Sequence, residues 1–197
     1  MSEVLLLSGG IDSIAIAAWL RPAHCLTIDY GQIPAAAEIA AASSACLALG
    51  LTHEVLRASV AQLGAGVLAG RPPSTVSPNP EFWPFRNQFL VTLAAMVAIR
   101  RHSARVLIGT VASDKRHADG TEDFLLRLNA LLQMQEGGVT LEAPAIKLNS
   151  LALVQESGVD LRILAWAHSC HGSNLACGHC PGCTKHSEVM QAIGWNR

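Results

Sequence analysis

Hydrophobic positions in this chain fall into short unbroken runs separated by longer segments that carry helical signals. Glu3 to Ser8 reads Glu-Val-Leu-Leu-Leu-Ser, a run without alternation of the kind found in parallel strands buried on both faces. A helix is predicted from about Ser13 to Leu20, with Asp12 or Ser13 as its cap. His24 to Asp29 is a second strand, and an alanine-rich helix runs from about Ala35 to Leu49, stopped by Gly50. Thr52 to Leu56 is a short third strand. The pattern then fails from Gly64 to Pro84, where Pro72, Pro73, Pro78, Pro80 and Pro84 predict a long loop, and long loops in compact domains are functional or disordered. A helix resumes at about Asn87 and ends at Arg101, followed by a strand over Arg105 to Thr110. Thr121 is placed to cap the next helix, which runs towards Gln135. Val139 to Ala143 is the fifth strand, and Asn149 or Ser150 caps a further helix closed by Gly158.

Strands alternating with helices predict an α/β fold, an open parallel sheet of about five strands with helices on both faces. Ligands in such sheets bind beyond the carboxyl ends of the strands. The polar clusters of this chain follow strands: Ser8 to Ser13, Asp29 to Gln32, and Asp114 to Asp119. They are therefore expected to meet along one edge. Lys115, Arg116 and His117 within the last cluster are read as a solvated loop.

Composition narrows the classes. Half of the 197 residues are hydrophobic and only 5% are aromatic, which suits helices packed on a sheet. The net charge of −1 supplies no broad basic field, so direct nucleic-acid binding is not expected. The apolar window from Phe89 to Ile99 is too short to span a bilayer and runs into Arg100 and Arg101. With no signal-peptide pattern after Met1, a cytoplasmic protein is predicted. Trp19, Trp166 and Trp195 are assigned to packing; Trp83, inside the proline loop, is the one candidate for stacking on a base.

Two segments carry chemistry. Ser8-Gly9-Gly10-Ile11-Asp12-Ser13 follows the first strand. Its glycines let backbone N–H groups approach an anion, and the helix behind presents its positive end to the same spot. Ser8 and Ser13 add hydroxyls, and Asp12 can hold the Mg²⁺ that accompanies ATP. The loop is neither a Walker A sequence nor a dinucleotide fingerprint. The second segment holds Cys170, Cys177, Cys180 and Cys183, spaced C-x6-C-x2-C-x2-C. Four thiolates at this spacing can close a tetrahedron around a structural Zn²⁺. An iron–sulfur cluster is the competing reading, and His168, His171, His179 and His186 are substitute ligands. Cys25 and Cys46 are assigned to the core, and no disulfide is expected. The chain divides into an α/β domain over residues 1–165 and a zinc-binding C-terminal segment over 166–197.

Ser-Gly-Gly-x-Asp-Ser resembles the pyrophosphate loop of the N-type ATP pyrophosphatases (PP-loop proteins), the superfamily of GMP synthetase, NAD synthetase and argininosuccinate synthetase. This implies a sheet of the adenine nucleotide alpha hydrolase-like type. Together with the cysteine tail, the segments Ile28 to Gln32, Phe85 to Leu90, and Ile108-Gly109 followed by Asp114, Asp119 and Phe124 are similar to the QueC (7-cyano-7-deazaguanine, preQ0, synthase) family over nearly the whole chain. The resemblance implies an ATP-dependent carbon–nitrogen ligase of queuosine biosynthesis. ATP would adenylate the carboxylate of 7-carboxy-7-deazaguanine, ammonia would displace AMP to give the amide, and a second ATP would drive loss of water to the nitrile. It further implies that Ser8, Gly9, Gly10, Ile11, Asp12, Ser13, Asp29, Tyr30, Gly31 and Gln32 bind the nucleotide, that Arg86 and Asn87 contact phosphate or the substrate carboxylate, and that Asp114 and Asp119 contact metal or the purine-like ring of the substrate. Asp12, Ser13 and Arg86 would be the catalytic set, with a homodimer as the assembly.

The sequence departs from the family pattern on the substrate side. Phe85 stands where glycine is expected, Asp119 to Phe124 lacks the family's arginine, and Leu148 to Ala152 lacks both charges of the usual helix opening. A divergent ligase joining a related carboxylate to another amine, on a protein partner for example, is therefore a second reading. A non-catalytic nucleotide-binding module is a third.

Overall fold

The computed structural model describes residues 2–114 and 116–195. Five strands, β1 (Glu3–Leu6), β2 (His24–Asp29), β3 (His53–Arg57), β4 (Arg105–Leu107) and β5 (Thr140–Glu142), form one sheet in the order β3-β2-β1-β4-β5. Every pairing is parallel. The helices are α1 (Ile11–Leu20), α2 (Ala35–Leu49), α3 (Arg86–Arg100), α4 (Glu122–Gln133), α5 (Ser150–Ser157), α6 (Leu161–Leu164) and α7 (Pro181–Ala192). The expected α/β architecture is present. Strands are shorter than the apolar runs because Leu7, Ser8 and Ile108 to Thr110 already belong to the loops leaving the sheet.

Because neighbouring residues of a strand point to opposite faces, each run feeds two cores. Leu5, Leu7, Cys25 and Leu107 pack with Ile14, Ala17, Ala42, Cys46, Leu153 and Met190 from α1, α2, α5 and α7. Val4, Leu26, Ile28, Val106 and Leu141 pack on the other side with Val91, Ala94, Ala98, Leu125 and Leu128 from α3 and α4. Cys25 and Cys46 are fully buried in the first core, as expected for plain packing residues.

Thr121 and Asn149 cap α4 and α5, accepting from Phe124 N and Ala152 N. Gly50 ends α2 in the left-handed region at φ 65°. The cap of α1 differs from expectation. It is Gly10, with no side-chain bond, because the tight turn after β1 starts the helix two residues before Ser13. Helices α6 and α7 were not anticipated. The start of α7 overlaps the cysteine motif, with Cys180 as its N-cap and Cys183 in its first turn. No helix among the described residues is long and apolar enough to cross a membrane.

The strand order places β2 on one side of β1 and β4 on the other. The chain leaves β1 and β4 in opposite directions around the sheet, which opens the crevice where such folds take ligands.

Candidate active site

The loop after β1 is drawn tightly over the sheet edge. Gly9 has φ +78°, and a Cβ there would lie 2.4 Å from the Glu38 carbonyl oxygen. Only glycine allows α2 to approach this closely. Gly10 contributes no capping side chain, so the first-turn N–H groups of α1 stay available to an anion. The Ser13 hydroxyl donates to Gly10 O at 3.0 Å and is 3.1 Å from Ser8 Oγ. These two hydroxyls therefore shape the loop. The Ile11 side chain is 4% exposed and lies in the core, leaving its backbone alone to face a ligand.

The turn after β2 is fastened internally. Asp29 Oδ1 accepts from Gly31 N at 3.1 Å, and Gln32 Oε1 accepts from Tyr30 N at 2.9 Å. Gln32 Nε2 also donates to Glu38 Oε2 at 2.7 Å. Tyr30 is buried and meets Trp83 edge to face, their ring centroids 4.9 Å apart. Trp83 is thus a packing residue, and the stacking role considered for it does not hold. Of the other tryptophans, Trp195 packs on the core, Trp19 is about two-thirds covered at 36% exposure, and Trp166 is largely exposed at 62%.

Arg86, the first residue of α3, brings its guanidinium beside the Tyr30 hydroxyl and the Glu38 carboxyl. Burial pushes the Glu38 carboxyl up to about 7, against the opposing pull of Gln32 and Arg86. Burial likewise raises the Tyr30 hydroxyl. Asn87 and Asp119 are locked together: Asn87 N donates to Asp119 Oδ2 and Asn87 Nδ2 to Asp119 O, both at 3.1 Å. Asp119 thus closes the start of α3 from across the site.

Asp114 lies at the crevice. Its Oδ2 accepts from Val111 N at 3.1 Å, and its Oδ1 is 3.2 Å from Lys185 Nζ. The same ammonium is 2.7 Å from Asp12 Oδ2. Lys185 therefore joins the loops after β1 and β4, and Asp12 Oδ1 is buried with no hydrogen-bond partner. Burial works against the Lys185 charge, but Asp12 and Asp114 outweigh it and its pKa rises. The C-terminal segment also grips the site through His168 N to Gly9 O at 2.9 Å and Ala37 N to Asn174 Oδ1 at 3.0 Å.

The proline loop is ordered around a buried carboxylate. Glu81, 4% exposed, forms an ion pair with Arg116 Nη2 at 3.3 Å and lies 3.2 Å from His117 Nε2. Burial opposes its charge, yet its own backbone N–H, the Arg116 guanidinium and the His117 contact hold its pKa below the usual value. His117 is thus partly buried against Glu81 and not the solvated residue expected, whereas Arg116 is exposed as expected while still pairing with Glu81. Lys115, read with them, lies outside the described residues.

A cavity of about 330 Å³ opens beside Val111, Gly120, Thr121 and Lys147, next to the Asp114–Asp119 loop. The glycine loop itself lies outside that cavity's wall.

The four expected cysteine ligands converge. Their Sγ atoms all lie within 4.8 Å of one another, and Cys177 and Cys183 are 3.9 Å apart. With Zn–S of about 2.3 Å, a tetrahedron has S–S edges of about 3.8 Å, so this group can hold zinc. The separations are far too long for disulfides, and all six cysteines are free. Backbone N–H groups of His179 and Cys180 hold the Cys177 thiol down to about 6, which favours the thiolate a metal needs. Burial pushes Cys183 up to about 12.

Sequence reading missed Glu38, Lys185 and Glu81. Glu38 is the one acidic residue of α2, and Lys185 the one lysine of α7. Nothing in the spacing of these residues said what each would face.

Taken together, the parallel sheet, the glycine loop at its crevice and the four-thiol cluster define an α/β protein with an uncapped helix N-terminus at the crevice and a C-terminal cysteine group that could hold a metal. The chain belongs to the family described as queuosine biosynthesis protein QueC, whose model matches residues 2–194. It is 30% identical to a 7-cyano-7-deazaguanine synthase of Desulforudis audaxviator, over 98% of each chain. A protein of the same name from Methanothermobacter thermautotrophicus is 27% identical over 98% of this chain and 96% of its own. One from Synechococcus elongatus is 29% identical over 98% and 91%.

Proposed function

We propose that this protein is an ATP-dependent carbon–nitrogen ligase that converts 7-carboxy-7-deazaguanine and ammonia to 7-cyano-7-deazaguanine. The observation that carries the reading is the meeting of Ser8–Ser13 with Asp114 and Lys185 at the crevice, in a chain whose relatives bear the name of that synthase.

A substrate carboxylate oxygen attacks the α-phosphorus of ATP and expels pyrophosphate, giving an acyl adenylate. Ammonia adds to the acyl carbon, loses a proton and displaces AMP to leave the amide. A second ATP activates the amide oxygen in the same way, and departure of AMP with loss of two protons leaves the nitrile. The first-turn N–H groups of α1 and the loop backbone at Gly9 and Gly10 would receive the pyrophosphate. Preorganised donors of this kind stabilise charge as it develops on a leaving group.

Asp12 and Asp114 fit a hard divalent cation, since both offer carboxylate oxygen and Asp12 Oδ1 is buried without a partner. When bound there, Mg²⁺ would neutralise phosphate charge. Arg86 can meet the substrate carboxylate, and the cavity beside Thr121 falls in the size range of small-molecule pockets, about 300–1,000 Å³. Glu38, poised near neutrality, is suited to take the proton that ammonia sheds. Cys170, Cys177, Cys180 and Cys183 would hold zinc with no open position, so its role is structural. We read residues 166–195 as a zinc-binding segment packed on the α/β domain.

The test is a mass-resolved assay with ATP, Mg²⁺, 7-carboxy-7-deazaguanine and ammonia. Nitrile with two AMP per product is the expected outcome. Amide as the only product identifies a divergent ligase, and no AMP with this substrate overturns the assignment.

A further inference from the structure

Helix α7 begins at the cysteine cluster and reaches the glycine loop within one turn. Cys180 is its N-cap, Cys183 lies in its first turn, and Lys185 follows two residues later. The Lys185 ammonium stands 2.7 Å from Asp12 Oδ2 and 3.2 Å from Asp114 Oδ1. An ammonium has three N–H donors, and these contacts use two of them. One ammonium against two carboxylates leaves the group with a single negative charge, and a divalent cation would turn it positive by one. Asp12 Oδ1, buried and unpartnered, is the oxygen left for such a cation while Oδ2 holds the lysine. The group is thus built to accept a cation and then an anion, and the adjacent N-terminus of α1 favours an anion at the same place.

We propose that Lys185 is a catalytic residue whose remaining N–H donates to the departing pyrophosphate. Asp12 and Asp114 fix where the ammonium stands, and the cysteine cluster fixes the start of the helix that carries it. The inference rests on the adenylation reading above and deepens it. In the step served, the substrate oxygen forms a bond to the α-phosphorus, and the bond from that phosphorus to the bridging oxygen breaks with its electron pair leaving on pyrophosphate. Lys185 keeps its proton throughout and stabilises the charge that accumulates. The competing role is a purely structural clamp between α7 and the two loops.

The experiment compares the full-length zinc-loaded protein with its Lys185→Met and Lys185→Arg variants. Zinc content and thermal midpoint establish folding. Calorimetry then measures binding of magnesium pyrophosphate and, separately, of AMP. Lys185→Met is expected to weaken pyrophosphate binding by tenfold or more with AMP binding unchanged, and Lys185→Arg to recover much of it. In turnover, Lys185→Met should lower kcat by about 10²–10³-fold, the scale for loss of one preorganised charge-stabilising donor. Equal pyrophosphate affinity in wild type and Lys185→Met, or no pyrophosphate binding by the wild type, overturns the proposal. A parallel loss of AMP and pyrophosphate affinity assigns Lys185 to the clamp and overturns it as well. Selective loss of pyrophosphate binding, with no AMP formed from 7-carboxy-7-deazaguanine by the wild type, upholds the lysine's role and rejects the substrate instead.

Discussion

Gly9 is pressed against Glu38: a side chain on the glycine would have its Cβ 2.4 Å from the Glu38 carbonyl oxygen. The loop and the first turn of α2 therefore share one position. The Gly9→Ala variant meets both this collision and a φ of +78°, which alone costs about 1–2 kcal/mol. Expected are a lower thermal midpoint and ATP binding at least about tenfold weaker, equivalent to 1.4 kcal/mol. Calorimetric titration with ATP checks it, and wild-type affinity in Gly9→Ala would remove the loop from the nucleotide site.

Asp12 supplies one oxygen to Lys185 and a second that is buried and unpartnered. Asp12→Ala should reduce AMP formation on the order of 10²-fold or more, while zinc content and circular dichroism stay as in wild type. Undiminished AMP release would refute the role of this carboxylate.

Cys180 Sγ accepts from the backbone N–H groups of both His171 and Cys183 at 3.4 Å. In Cys180→Ser the oxygen can still cap α7, but the fourth thiolate is gone. Structural zinc contributes directly to folding, and about 3 kcal/mol or more lost would lower the midpoint by roughly 10 °C in a domain of this size. Metal analysis should find about one zinc per wild-type chain and far less in the variant. A wild-type protein purified with iron and sulfide would decide for a cluster.

Burial raises the Glu38 carboxyl from its ordinary 4.5 to about 7. The folded state therefore holds this proton more tightly than the unfolded chain. Its contribution is fully present below about 4.5 and is lost as pH rises through 7, on the order of 3 kcal/mol in total. Glu38→Gln should show a flatter stability curve between pH 5 and 8 in urea unfolding. Identical slopes in the two proteins would mean that the carboxyl is not poised near neutrality.

Phe85 is 76% exposed and sits at φ 56° at the start of α3. Left-handed backbone disfavours a bulky residue, and an exposed ring gains little packing in return. Phe85→Gly is expected to stabilise the fold by about 0.5–1 kcal/mol, after the extra freedom glycine gives the unfolded chain. A drop in midpoint on differential scanning calorimetry would show that the ring has a partner.

Of the fold, the sequence by itself determined most. Uninterrupted runs such as Val4 to Leu7 call for burial on both faces, and their alternation with helical segments points to a parallel sheet between helix layers. Thr121, Asn149 and Gly50 marked helix ends because capping is a local matter of reach and backbone conformation. The glycine loop and the cysteine group were legible for the same reason: their defining residues are close neighbours along the chain, so spacing encodes geometry. What the sequence left open depends on residues far apart along the chain. Lys185 meets Asp12 across 173 positions, and Glu81 meets His117 across 36. Local pattern carries no information about such pairs, because they exist only once the strand order β3-β2-β1-β4-β5 has brought the loops after β1 and β4 side by side and the C-terminal segment has folded over them. Helix α7 was hidden by its double duty, since its first turn is also half of the cysteine motif. The burial that sets Glu38 near neutrality is likewise a property of the assembled site, where α2, the turn after β2 and Arg86 together exclude water from a carboxyl that the isolated helix would leave in solvent.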